Sequence, residues 1–299
     1  MDKTILHRFI SFWQDLWLLL METYKGWSED NASQLGAALA FYTIFSLAPI
    51  LIIIVVILGF ILGEQQVQTF LLGELTKLIG QDNAKYIMNV IQNRYHAGSS
   101  LRATIIAVAL ILIGSTTVTV TLKNALNYMW GVTERPSGYL YFIKNRLMSS
   151  LVILFAGSFL FLSMIISSII STVSGYIEIP FIVLAIIDNG VSIILLTLLF
   201  SMLYKMLPDV EISWEDVWVG GAITAILFTL GKFLLGLYLG MSTVSSAYGA
   251  AGSLVVLLLW VYYSAQIIFL GAEFTQVYAR KYGSEIVPKK RKQALSSKV

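Results

Sequence analysis

The chain contains no cysteine and only two histidines among its 299 residues. That excludes disulfides, cysteine-ligated zinc and iron–sulfur clusters. Charge is scarce too: 12% of residues carry it, against about a quarter in soluble globular chains. Halving the charge at this length leaves too little polar surface to face water on every side. The net charge of +3 gives no electrostatic footprint for a nucleic-acid partner, and no glycine loop of the phosphate-cradling kind is present. What remains is apolar: 57% hydrophobic residues and a mean hydropathy of +0.79, gathered into runs of about 20 residues. The composition defines a multi-pass membrane protein whose first partner is the lipid bilayer.

Residues 5–27 place Ile5, Phe9, Phe12, Trp13, Leu16, Trp17 and Leu20 at helical spacing. With polar residues between and no small-residue cleavage site after it, this stretch reads as an amphipathic helix, not a signal peptide. It lies at the headgroup level or packs on the end of the bundle, and the pattern fits both. Six spans follow, at about 37–62, 103–122, 147–171, 181–204, 217–239 and 251–273. Pro49 sits near the middle of the first and predicts a kink, because it frees the carbonyl of Phe45. Between the first two spans, residues 64–100 read as two short amphipathic helices broken at "GQDN". Asn31 with Gln34 resembles a capping box, and "SWED" at 213–216 caps the fifth span with Ser213 and Asp216. The predicted fold is all-α: residues 1–36 interfacial, 37–279 a six-helix transmembrane domain with its external insert, and 280–299 a basic tail.

Lysine and arginine set the orientation. Fifteen of the twenty fall in residues 1–36, in 123–146, at Lys205 and in the tail, whereas the opposite side holds Lys77, Lys85, Arg94 and Arg102. Both termini are therefore expected in the cytoplasm. That topology puts His7 and His96 on opposite sides of the membrane, so no metal centre and no cofactor site is expected. The acidic cluster Asp209, Glu211, Glu215 and Asp216 reads as a solvated loop with helix-start acids complementing the dipole.

Four ordered blocks carry a family resemblance: "AALAFYTIFSLAPILIIIVVILG", "LKNALNYMWGV", "YKMLPDVEISWEDVWVGGAITAILFTLGKFLLGLYLG" and "SSAYGAAGSLVVLLLWVYYSAQIIFLGAEF". Over residues 20–280 the chain resembles the YihY/BrkB family. The resemblance implies a six-helix protein of the bacterial inner membrane. It brings no catalytic residues, and the family's older name, ribonuclease BN, is regarded as mistaken. Exporters, lipid-related transporters and ion antiporters have been proposed within the family.

Candidate functional residues are the few polar groups inside the spans. Lys232 stands in "FTLGKFLLGLYLG", and Asp188 lies in the fourth span. Each sits about four residues, roughly 6 Å, from its span's midpoint towards the outer face. A charge at that depth costs at least about 2.5–3.5 kcal/mol on insertion scales, so it requires a partner or a route to the headgroups. Either the two pair beside a polar cavity as a gate or solute contact, or Lys232 snorkels. Glu273 falls near the cytoplasmic end of the last span. Ser163 and Ser167 belong to a polar stripe on the third span, which serves interhelical hydrogen bonding or a solute path. Gly236 and Gly240 form a small-xxx-small face, and Gly249 lies in "SSAYGAAGS". The favoured expectation is an exporter of an organic or amphiphilic solute. The alternative is a non-transporting protein that organises lipid or envelope machinery, and a tethered ribonuclease comes last. A homo-oligomer is compatible with the sequence.

Overall fold

The computed structural model describes residues 3–46, 63–79, 81–95, 116–132, 181–241, 252–284 and 286–288, with isolated positions between 155 and 166. Helix α1 (Lys3–Glu29) turns at Asp30 and Asn31 into α2, residues 32–46. The insert forms α3 (Glu64–Ile79) and α4 (Gln81–Tyr95). Helix α5 covers 116–129, and α6 (Phe181–Met206), α7 (Trp214–Met241) and α8 (Gly252–Tyr282) complete the bundle. Two short strands, β1 (Val210–Glu211) and β2 (Val287–Pro288), pair antiparallel, with Val210 opposite Pro288.

Among the described residues, three helices are long and apolar enough to cross a membrane, through Asn189–Met206, Trp214–Tyr238 and Leu254–Tyr282. Only 33% of the α7 window is buried inside the protein. Leu230, Phe233, Leu234 and Leu237 stay exposed. In water such a surface would drive association, whereas in hydrocarbon it is the required one. The first three predicted spans fall partly or wholly outside the described residues, Pro49 included.

Close backbone approach holds the three long helices together. A Cβ added to Gly221 would meet the α6 backbone, 2.8 Å from the carbonyl oxygen of Thr197 and 2.9 Å from the amide of Ser201. Ser201 Oγ accordingly reaches the Val217 carbonyl at 3.0 Å. Tyr204, fully buried, places its hydroxyl 3.0 Å from Thr224 Oγ1 and 2.8 Å from the Ile268 carbonyl, so one side chain of α6 touches both α7 and α8.

Three expectations change at the helix ends. Residues 123–129, beyond the predicted end of the second span at 122, continue α5 and are mostly buried; Leu126 is 0% exposed. The helix stops at Gly131, whose φ of 69° permits the Val132 amide to reach back to the Asn127 carbonyl at 2.8 Å. Asn31 forms no capping box in the expected sense. Its φ of 52° makes it the left-handed residue closing α1, and its side chain donates to the Glu29 carbonyl at 3.3 Å. Helix α8 runs to Tyr282, nine residues beyond its predicted end, because Ala272, Glu273, Thr275, Val277 and Ala279 stay buried against neighbouring helices. The Ser213 cap forms as expected: Ser213 Oγ accepts from the Asp216 amide at 3.2 Å and donates to Asp216 Oδ2 at 2.7 Å.

Candidate functional site

Helices α2 and α5 line a half-open cavity of about 580 Å³. From the α1–α2 side come Asp30, Asn31, Gln34, Leu35, Ala38 and Tyr42; from α5 come Thr117, Val120, Thr121, Asn124, Ala125 and Tyr128. Both sets recur every three or four residues, so each is one continuous face of its helix. Amides, hydroxyls and small apolar groups alternate along it, and Asp30 is the single ionised type in the lining. Such a surface accommodates a molecule with both apolar and uncharged hydrogen-bonding parts. Helix α5 is fixed from behind by α8: Trp130 Nε1 donates to the Ala272 carbonyl at 3.2 Å, and Gln276 Nε2 to the Met129 carbonyl at 3.1 Å.

At its Asp30 edge the cavity meets a polar seam between the α1–α2 corner and α8. Ser33 Oγ lies 2.8 Å from Tyr262 Oη, and Gln266 Nε2 donates to the Ala32 carbonyl at 3.4 Å. Further along, α8 brings Glu273 up to the end of α1. Glu273 is 1% exposed. Its carboxyl rests against Gly26, where a Cβ would lie 2.6 Å from Oε2. Burial raises the pKa of Asp30 above the usual carboxylate value; the Glu273 hydrogen bond opposes this and the charge of Glu29 adds to it.

A second polar cluster braces the same end of the bundle. Lys123 Nζ donates to Asp209 Oδ1 at 2.9 Å, Asn127 Nδ2 donates to Asp209 Oδ2 at 3.1 Å, and the Asp209 amide donates to Asn127 Oδ1 at 2.7 Å. Asp216, 2% exposed, also accepts from the amide and hydroxyl of Ser284 at 3.0 and 2.8 Å. The expectation of a solvated acidic loop is therefore corrected for Asp209 and Asp216. Both carboxylates are held by specific donors that fasten the α6–α7 connection to α5 and to the segment after α8. Glu211 and Glu215 are exposed. Among the described residues no group of His, Asp and Glu could hold a metal ion.

The sequence-predicted residues are dispersed. Glu273 sits in the seam, fully enclosed where an inexpensive interfacial position was expected. Lys232 is exposed on α7 beside Phe233 and Leu234, the hydrocarbon-facing side. Asp188 lies in the first third of α6, and its side chain, and hence its pairing with Lys232, is outside the described residues, as are Ser163, Ser167 and Gly249. A Cβ at Gly236 would meet nothing within 4 Å, and the surroundings of Gly240 are not among those described. Close helix contact falls instead at Gly220, Gly221, Gly231 and Gly271. Sequence reasoning missed the cavity face of α5. Its signal was present, since Thr117, Thr121, Asn124 and Tyr128 have the period that marked the serine stripe, but ending the span at 122 cut it in two.

Long apolar helices with an exposed apolar surface define an integral membrane protein. A family model described as Virulence factor BrkB matches residues 23–296, and the chain belongs to that family. It is similar to the UPF0761 membrane protein RSc1559 of Ralstonia nicotianae, 27% identical over 82% of this chain and 55% of that protein. A UPF0761 membrane protein of Azotobacter vinelandii is 27% identical over 87% of this chain and 62% of its own length. For the UPF0761 membrane protein MS0032 of Mannheimia succiniciproducens the figures are 27%, 87% and 89%. The chain thus spans between about half and two-thirds of the length of the first two relatives. No solved structure matches it.

Proposed function

We propose that this protein carries an organic or amphiphilic solute across the bacterial inner membrane, as an exporter, with both termini in the cytoplasm and no enzymatic activity of its own. The α2–α5 cavity carries this reading. Its mixed apolar and uncharged-polar lining suits a solute and offers no pair of groups placed to activate water or polarise a phosphate. A cell lacking the protein, a cell overproducing it, and one overproducing Asn124→Leu with Thr121→Val are compared by untargeted metabolite and lipid profiling. One solute class should accumulate in the first and be depleted in the second, and the variant should behave like the deletion. Profiles that do not differ between deletion and overproduction would remove the reading.

A second reading, organisation of lipid or envelope machinery, draws on the exposed aromatic face of α1, with Trp13 at 53%, Trp17 at 65% and Tyr24 at 62% exposure. Such a face suits the headgroup level. It predicts that α1 substitutions alter lipid composition while the cavity variant is silent.

A further inference from the structure

We infer that the end of the α2–α5 cavity formed by Asp30 and Tyr128 binds the positively charged head of an organic cation, whose apolar body lies along the cavity towards Tyr42. As a statement about cargo this rests on the carrier reading; as a binding site it does not.

Helix α8 sets the two cavity walls at one height. The α1–α2 corner is held where Gly26 meets Glu273 and where Gln266 donates to the Ala32 carbonyl. The end of α5 is held close by, where Trp130 donates to the Ala272 carbonyl. Asp30 and Tyr128, both in the lining, therefore share one end of the cavity. Tyr42 stands about three turns further along α2, roughly 16 Å away. Leu35, Ala38 and Val120 line the stretch between, with Gln34 and Thr121 beside them. The volume of about 580 Å³ falls in the range of small-molecule sites, about 300–1,000 Å³.

The charge at the Asp30 end is negative. No lysine, arginine or histidine lines the cavity. None of the ion pairs among the described residues engages Asp30: Lys25 lies 3.7 Å from Glu29, and Lys123 lies 2.9 Å from Asp209. The C-terminus of α1 and the N-terminus of α2 meet here with about half a charge of opposite sign each, so the backbone adds little. A half-buried carboxylate attracts a cation more strongly than a solvated one does. Tyr128, 53% exposed, adds a ring that attracts a cation placed over its face within about 6 Å. A calcium or magnesium ion needs about six or more converging oxygen ligands. One carboxylate and one ring suit instead a bulky, weakly hydrated ammonium group. A free organic cation and an aminophospholipid headgroup both carry that chemistry.

The test is isothermal titration calorimetry on the full chain in uncharged maltoside micelles, with benzyltrimethylammonium, benzyl alcohol and benzoate as probes. The cation should bind saturably and more tightly than either of the others. Asp30→Asn should weaken it about tenfold or more. Tyr128→Leu should weaken it about three- to tenfold, while Tyr128→Phe, which keeps the ring, should not. If Asp30→Asn does not fold, the exposed Tyr128 pair of variants carries the test. Equal binding of cation and alcohol, tighter binding of benzoate, no saturable cation binding, or affinity unchanged in folded Asp30→Asn would overturn the inference. Displacement of the bound cation by dioctanoyl phosphatidylethanolamine and not by dioctanoyl phosphatidylglycerol would make the natural ligand a lipid headgroup; no displacement by either would make it a free solute. Cation binding without any difference in solute profile between deletion and overproduction would remove the carrier reading and keep the site. A profile difference confined to neutral or anionic solutes would do the reverse.

Discussion

Lys123 and Asp209 form a 2.9 Å ion pair between α5 and the α6–α7 connection, with the lysine side chain only 9% exposed. Removing one partner leaves the other poorly solvated. Lys123→Met is therefore expected to destabilise by about 2–3 kcal/mol, below the range for fully buried pairs because Asp209 stays 26% exposed. The double change Lys123→Met with Asp209→Asn should recover part of that loss. Thermal unfolding of the detergent-solubilised variants in a double-mutant cycle measures it, and strictly additive losses would contradict the pairing.

Gly221→Ala should cost about 1–3 kcal/mol, because the new methyl meets the α6 backbone, which cannot rotate away as a side chain end does. Gly236→Ala, whose methyl meets open space, serves as the control and should gain slightly from the better helix former. Melting temperatures of the two side by side decide the point.

The carboxyl of Asp30 sits above its ordinary value of 3.8 chiefly through burial. An acid that binds its proton more tightly when folded contributes stability that is full below its unfolded pKa and is lost as pH rises through the folded one. Wild type should therefore lose stability relative to Asp30→Asn as pH climbs above 3.8, with the difference levelling once Asp30 is fully ionised. A melting-temperature difference that is flat across this window would show that Asp30 titrates normally.

Lys232→Met should leave stability within about 0.5 kcal/mol of wild type, as for a surface change away from special features. The ammonium of an outward-facing lysine reaches the headgroups along its own alkyl chain. A loss of several kcal/mol on unfolding would place the lysine in a buried pairing instead.

The long apolar helices were legible because a bilayer demands length and uniform hydropathy, and both survive in sequence. The Ser213 cap was legible because it depends on residues three apart. What escaped depends on partners distant in the chain. Lys123 looked like one loop cation among several until Asp209, 86 residues away, was brought beside it. Glu273 looked interfacial because its enclosure comes from Gly26 and Asp30 on the first helical corner. The same ambiguity holds for Gly236, whose added Cβ would meet nothing within 4 Å: a glycine spacing of one turn says that close approach is permitted, not that another helix arrives there.

Helix α8 receives α1, α3, α4 and α7 along its length and bonds the end of α5 through Ala272 and Gln276. It is also the last helix in the described chain, which has consequences for biosynthesis. Chains are made at about 5–20 residues per second, so α1 leaves the ribosome long before α8, against which it packs, exists. Until then the carbonyls of Ala32 and Met129 lack their α8 partners. A nascent chain stalled before residue 252 should accordingly be a substrate for membrane quality control, because its α1–α2 corner still lacks α8.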